Sequence, residues 1–294
     1  MQVLFKYYDR LDIEYFNKPT IKISGINKLN DPFEKIIEEN LKKIAIGHNQ
    51  KTTIKSIFTE MSFNLLIERI GVVSLTETPR NLLMWSHYAN QHKGICVGYK
   101  TSFLDHHKHK THKRLPVSFN PIKVNYDNCR YSEHTDSFSE LNDIELQKEI
   151  ILKSLITKGD DWIYEKEHRS IIPLEHNDHI YCTGNKKARD YRKEIDLIDL
   201  IDEKEFKLKH QTQVDILEAA RDDNLIFRLN IEPESITSIY FGCESDHYNN
   251  CLLTRKIMNN PKLSHIKIFQ AMASRTKFEL EIVPFIDDFD DYYS

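Results

Sequence analysis

"DWIYEKEHRSIIP", residues 161–173, sets Glu165, Glu167 and Arg169 two apart, behind an aromatic pair and ahead of an apolar run. Read as a strand, its period of two puts those three charged side chains on one face and Trp162, Tyr164, Lys166 and His168 on the other. A surface strand of an antiparallel sheet alternates apolar with polar residues, yet here both faces stay polar until Ser170. Two readings compete. In one, the stretch is an exposed edge strand whose charges guard against aggregation and whose Glu–Arg pair contributes little. In the other, two carboxylates and a guanidinium line a cleft, suited to metal binding or to stabilising positive charge developing on a sugar carbon.

Working outward, "VLFKYYD", "TIKISG" and "VVSLTE" read as strands, as do "ICVGYK", "SITSIYFG", "HIKIFQA" and "KFELEIVPF". In "LNDPFEKIIEENLKKIAIG" the apolar residues Phe33, Ile36, Ile37, Leu41 and Ile44 recur at helical spacing. Asp31 serves as its N-cap, Pro32 as its first residue and Glu34 as the closing member of a capping box. Asn30 is not explained by the cap and stays a candidate binding residue. "TPRNLLMWSHYANQHKG" reads as a helix capped by Thr78 and ended by Gly94, with Leu82, Trp85, Ser86 and Ala89 on one face. A third helix, "DIELQKEIILKSLITKG", runs up to the opening motif, and "YNNCLLTRKIMNN" makes a late fourth.

Strands and helices mix without a βαβ rhythm, which predicts an α+β fold with a largely antiparallel sheet. The expected organisation is a single domain over 1–286 with a polar insertion or surface helices near 183–212, then an acidic tail over 287–294.

With 40% apolar and 11% aromatic residues the chain of 294 residues can bury a core and is not a disordered protein. A net charge of −4 does not by itself demand a nucleic-acid partner. No stretch reads as a secretory signal or a membrane span. Five scattered cysteines without a CxxC favour reduced thiols, and so a cytoplasmic location. The histidine run "DHHKHKTHKR" (105–114) matches no zinc spacing and reads as a solvated loop. "MWSHYA" reads either as a core-packed Trp85 with a solvated His87, or as a site where Ser86, His87 and Tyr88 gather hydrogen-bonding groups able to bind a phosphate or stack a planar ring.

The order of "FKYYD", "NDPFE", "MWSHYANQHKGICVGY", "YEKEHR" and "IYFGCE" resembles the bacterial family of unknown function DUF2971, from about residue 4 to about residue 280. A second resemblance is to the ADP-ribosyltransferase fold, whose two split antiparallel sheets hold NAD and whose late strand carries a Glu-x-Glu. "LFKYYD" stands where its first strand would, "MWSHYA" near its aromatic position, and Glu165–Glu167 as the Glu-x-Glu. The first strand here offers Lys6 and Tyr7, with Arg10 after them, in place of the usual His or Arg, and the Ser-Thr-Ser is missing.

That second resemblance implies NAD as substrate and no metal. Glu167 would bond the ribose 2′-hydroxyl and Glu165 would orient an acceptor or water. Tyr88 or Trp85 would stack the nicotinamide, while Arg169, Lys6 or Arg10 would hold the pyrophosphate. A protein or nucleic-acid acceptor would make the enzyme a transferase and water would make it a glycohydrolase, either one fit for a toxin or an anti-phage effector. Two other classes stay open. One is a metal-dependent nuclease or phosphodiesterase with Glu165, Glu167 and Asp31 or His87 around the ion. The other is a non-catalytic sensor or interaction module in which "MWSHYA" and "YEKEHR" form a recognition pocket or subunit interface.

Overall fold

In the computed structural model, which describes residues 2–47, 54–132, 138, 141–193, 198–209 and 212–288, the run "IGVVSLT" forms a strand buried along nearly its whole length. In chain order the strands are β1 (Val3–Tyr8), β2 (Thr20–Gly25), β3 (Ile70–Thr76), β4 (Ile95–Lys100), β5 (Ser118–Lys123), β6 (Asn125–Tyr126), β7 (Thr157–Lys158) and β8 (Glu167–Pro173). They continue with β9 (His179–Cys182), β10 (Ile198–Leu200), β11 (Glu205–Leu208), β12 (Leu225–Asn230), β13 (Ile236–Phe241), β14 (Lys267–Ala273) and β15 (Leu280–Pro284). The α-helices are α1 (Ile13–Asn17), α2 (Glu39–Ile46), α3 (Ile54–Ile67), α4 (Leu82–Tyr88), α5 (Asp143–Ile156), α6 (Gln213–Arg221) and α7 (His247–Met258).

One large sheet runs β10-β11-β9-β12-β2-β3-β1-β4-β13-β14-β15, with β8 and then β5 branching from β3. Its pairings are antiparallel apart from β13 with β14, and the small β6–β7 pair is parallel. The α+β class with a mostly antiparallel sheet is therefore what this sequence forms. Helices α2, α3 and α5 carry Leu41, Phe63 and Ile150 into one apolar core, and α6 and α7 carry Ile216 and Ile257 into another.

The branch at β3 opens a gap in the sheet. Along one edge β3 pairs with β8 throughout, from Ile70↔Pro173 to Thr76↔Glu167. The other edge is divided. There β2 pairs through Ser24↔Val72 and Gly25↔Gly71, and β1 through Phe5↔Thr76. Between those pairings β1 and β2 diverge, and a ladder carbonyl in such a gap needs another donor. Lys6 supplies one, its ammonium donating to the Ser74 carbonyl at 2.9 Å.

Several expectations change in three dimensions. The strand of the opening motif begins only at Glu167. Asp160–Glu165 is a 3₁₀ turn, and Lys166, left-handed at φ 45°, swings the chain into β8. The strand is no exposed edge, because all seven residues of β8 are buried between β3 and β5. "NDPFE" does start with Asp31 as N-cap, but its helix breaks after a 3₁₀ turn over Pro32–Lys35 and restarts as α2 under a Glu38 cap. Asn81, not Thr78, caps α4, accepting from the backbone N–H groups of Leu83 and Met84.

Between 183 and 212 the described residues add β10 and β11 to the sheet edge rather than surface α-helices. The histidine run is only partly solvated, since His107 is buried against the Asn230 carbonyl at 3.0 Å. Of the acidic tail, 289–294 lie outside the described residues.

Candidate active site

The period of two along β2, β3 and β8 decides which side chains meet. Lys22 and Ser24, Ser74 and Thr76, and Glu167 and Arg169 are alternate residues of their strands, and all six line one cavity of about 290 Å³ at the branch. Helix α4 adds Met84 and Tyr88, one turn apart. Asn30, Glu34 and Lys28 arrive from the segment after β2, Glu165 from the 3₁₀ turn and Lys158 from β7.

On the buried side Arg169 is held by four hydrogen bonds. Its Nε and Nη2 each reach a different Glu167 oxygen at 2.8 Å, Nη1 donates to the Leu155 carbonyl at 2.6 Å, and Nη2 also bonds Glu34. Lys158 bridges the two glutamates of the motif, 2.7 Å from Glu165 and 3.4 Å from Glu167, with its ammonium 4.4 Å from the Trp162 ring centre. Tyr88 donates its hydroxyl to the other Glu165 oxygen at 2.7 Å and accepts from the Asn30 amide. Asn30, Tyr88 and Glu165 thus form one directed chain.

Charge state comes from these partners. Burial alone would raise the Glu167 carboxyl, but Arg169 and Lys158 outweigh it and bring it down to about 2. Burial also works against the Lys158 ammonium, yet Glu167, Glu165 and Glu34 hold it above its ordinary value. Glu34 goes the other way, pushed up by burial despite its guanidinium partner. Burial and the negative charge of Glu165 raise the Tyr88 phenol, which keeps it a hydrogen-bond donor.

The opposite wall is cationic. Lys6 bonds the Ser74 carbonyl, and Lys28 bonds the carbonyls of Asp222 and Leu225. Among the described residues none of Lys6, Lys22 and Lys28 is ion-paired with a carboxylate. Burial and the neighbouring Lys22 bring Lys6 down to about 8.

Of the residues singled out from sequence, Lys6, Tyr7, Asn30, Tyr88, Glu165, Glu167 and Arg169 line this cavity together. The others stand elsewhere. Trp85 is fully buried, its indole N–H donating to the Pro79 carbonyl at 2.7 Å and its ring edge-on to Tyr7. Ser86 is half-buried and His87 exposed, and neither lines the cavity. Arg10 lines a separate pocket with Asp12 and Lys256. Asp31 is buried as a cap, so the expected metal set of Glu165 and Glu167 with Asp31 or His87 is not brought together.

No sequence motif singles out Lys22, Lys28, Glu34, Ser74 or Lys158 as part of a site. The alternation Lys22–Ile23–Ser24 inside a strand is the one available signal.

Residues 84–170 match the model of DUF2971, a family described as proteins of unknown function. Over this stretch the chain is similar to DUF2971. The DUF2971 segment runs from α4 into β8 and carries Tyr88, Lys158, Glu165, Glu167 and Arg169, whereas the lysine wall and Glu34 come from the chain before it. No curated protein and no solved structure matches the chain at a significant level. No helix among the described residues is long and apolar enough to cross a membrane.

Proposed function

We propose that this cavity is the active site of an enzyme that holds NAD by its phosphates and cleaves the bond between nicotinamide and ribose. The observation that carries the reading is a wall of three lysines without carboxylate partners, facing a carboxylate network inside one cavity. Lysines are point-charge binders of phosphate. At about 290 Å³ the cavity stands at the lower end of small-molecule sites, which run roughly 300–1,000 Å³. It would take the ribose end of a dinucleotide, leaving the adenosine at the mouth.

The geometry changes the roles expected from sequence. Arg169 spends four of its five N–H donors on Glu167, Glu34 and the Leu155 carbonyl, and Glu167 is committed to it, so both act as positioning residues. Glu165 becomes the working carboxylate. Bond cleavage sends the electron pair of the C1′–N bond to nicotinamide and leaves an oxocarbenium-like ribose, which the Glu165 carboxylate stabilises. Water or an acceptor hydroxyl then adds to C1′ and gives its proton to Glu165. Lys6, Lys22 and Lys28 hold the phosphates, and Tyr88 fixes the carboxylate from behind. Such NAD consumption would suit a toxin or an anti-phage effector acting in a bacterial cytoplasm.

The test is nicotinamide release from NAD, with and without EDTA and with and without cell lysate as a source of acceptors. Release that survives EDTA and is lost in Glu165→Gln supports the reading. Its absence in every condition, with NAD raising the melting temperature, would leave a binding module instead.

A further inference from the structure

At the far end of the sheet from this cavity, a second cluster of donor groups has no part in the chemistry above. His247 and Cys251 stand one turn apart on α7, so their side chains share a face. Asp288, just beyond β15, meets them: His247 Nε2 is 2.5 Å from Asp288 Oδ1 and 3.5 Å from Cys251 Sγ. The three donor atoms lie within 4.8 Å of one another, and among the described residues no other grouping of His, Cys, Asp and Glu does so.

We propose that His247, Cys251 and Asp288 form a binding site for a divalent transition-metal ion, with zinc the best match. Bond lengths of about 2.0–2.1 Å to nitrogen and about 2.3 Å to sulfur place tetrahedral N and S donors about 3.5 Å apart, the separation already present between His247 and Cys251. The imidazole and carboxylate part by under ~1 Å to admit the ion. A thiolate, a neutral imidazole and a carboxylate carry two negative charges against two positive ones, and the sulfur selects against magnesium and calcium.

Supporting contacts around the three donors are in place. Arg255 grips both oxygens of Asp287 at 2.6 and 3.2 Å, which fixes the residue next to Asp288 and leaves that cation already neutralised. Phe285 packs on Phe241 and on the His247 ring, with centroids 5.0 and 5.4 Å away. Cys251 is fully buried while His247 and Asp288 reach solvent, so an ion enters from outside and keeps water at its fourth position. A thiol with no exposed surface cannot meet a substrate but can meet such an ion, giving up its proton to solvent. The bound metal would tie the segment after β15 to α7.

Titrating Co²⁺ into the purified full chain tests this. One equivalent should bring up a thiolate-to-cobalt charge-transfer band with the visible bands of a tetrahedral ion, and Zn²⁺ should erase them. Cys251→Ser should abolish the charge-transfer band, and His247→Ala or Asp288→Ala should weaken binding at least tenfold, with circular dichroism confirming that each variant is folded. The absence of a thiolate band in the wild type would overturn the proposal. So would a band that persists in Cys251→Ser, which would put the metal on another thiol such as Cys243.

Discussion

Glu167 and Arg169 meet as a fork, Nε on one carboxylate oxygen and Nη2 on the other, both at 2.8 Å and both side chains almost without exposed surface. Two residues apart on one buried strand, they fix the floor of the cavity before any ligand arrives. Removing one partner of a buried pair leaves the other uncompensated, which costs about 3–5 kcal/mol. Arg169→Met, which strands Glu167 and Glu34 beside a single ammonium, should lose that much in urea unfolding. A loss below about 1 kcal/mol, the worth of a surface pair, would mean the fork does not hold the floor.

Acid should undo the same network. With a folded pKa of about 2 against an ordinary value of 4.5, Glu167 contributes stability that is complete above pH 4.5 and is lost as pH falls towards 2. The shift corresponds to roughly 3 kcal/mol. Glu34 is shifted the opposite way and offsets part of this. Unfolding free energies measured from pH 5 to pH 2.5 should therefore fall more steeply in the wild type than in Glu167→Gln. Parallel curves would refute the assignment.

Ligand binding should weaken on the alkaline side. A Lys6 ammonium that titrates near pH 8 when free must be charged to hold a phosphate, so affinity declines as pH rises through that value. Between pH 7 and pH 9 the expected loss is about tenfold for this one group. Lys6→Arg, whose guanidinium stays charged, should flatten the profile of ADP-ribose affinity against pH. A wild-type profile that is flat over that range would remove Lys6 from the site.

How much of this is legible in the sequence depends on distance along the chain. Strand and helix periods, caps and the pairing of Glu165, Glu167 and Arg169 are local patterns, and they lead to the right fold class and to seven residues that line one cavity. Glu34 reads as an ordinary capping-box member because nothing local shows that its carboxylate bonds Arg169, 135 residues away. Lys158 reads as helix-end polarity, and the lysine wall exists only because β1 and β2 part at β3. Trp85 reads both ways for the converse reason: an aromatic within a polar motif suits either core or binding surface, and it is core.

The turn that ends α4 gives a stability prediction. Asn90, Gln91 and His92 stand in succession with φ of 45°, 53° and 68°, a run that side-chain-bearing residues rarely adopt. Gly242 holds it in place by close approach, since a Cβ there would stand 2.0 Å from the His92 carbonyl oxygen. Backbone cannot yield as a side chain does, so Gly242→Ala should cost about 1–3 kcal/mol or more and shift the helix that carries Tyr88. A thermal melt indistinguishable from wild type would show that the turn relaxes freely.

The hydroxyl of Tyr88 links Asn30 to Glu165. Tyr88→Phe deletes the donor while keeping the ring, and should lower the rate of nicotinamide release by about tenfold to a hundredfold, as for a loss of about 1.5–3 kcal/mol. KM should change little. A raised KM with kcat intact would place Tyr88 in substrate binding rather than in positioning Glu165.

Phosphate capture by the lysine wall can be measured without turnover, by calorimetric titration of ADP-ribose, which carries the pyrophosphate and is not consumed. The titration is run on the wild type and on a Lys22→Ala, Lys28→Ala double variant. One site is expected in the wild type and at least a tenfold weaker one in the variant, with the fold unchanged by circular dichroism. Equal affinity in both proteins, or no binding to either, would contradict the assignment of this cavity to a dinucleotide.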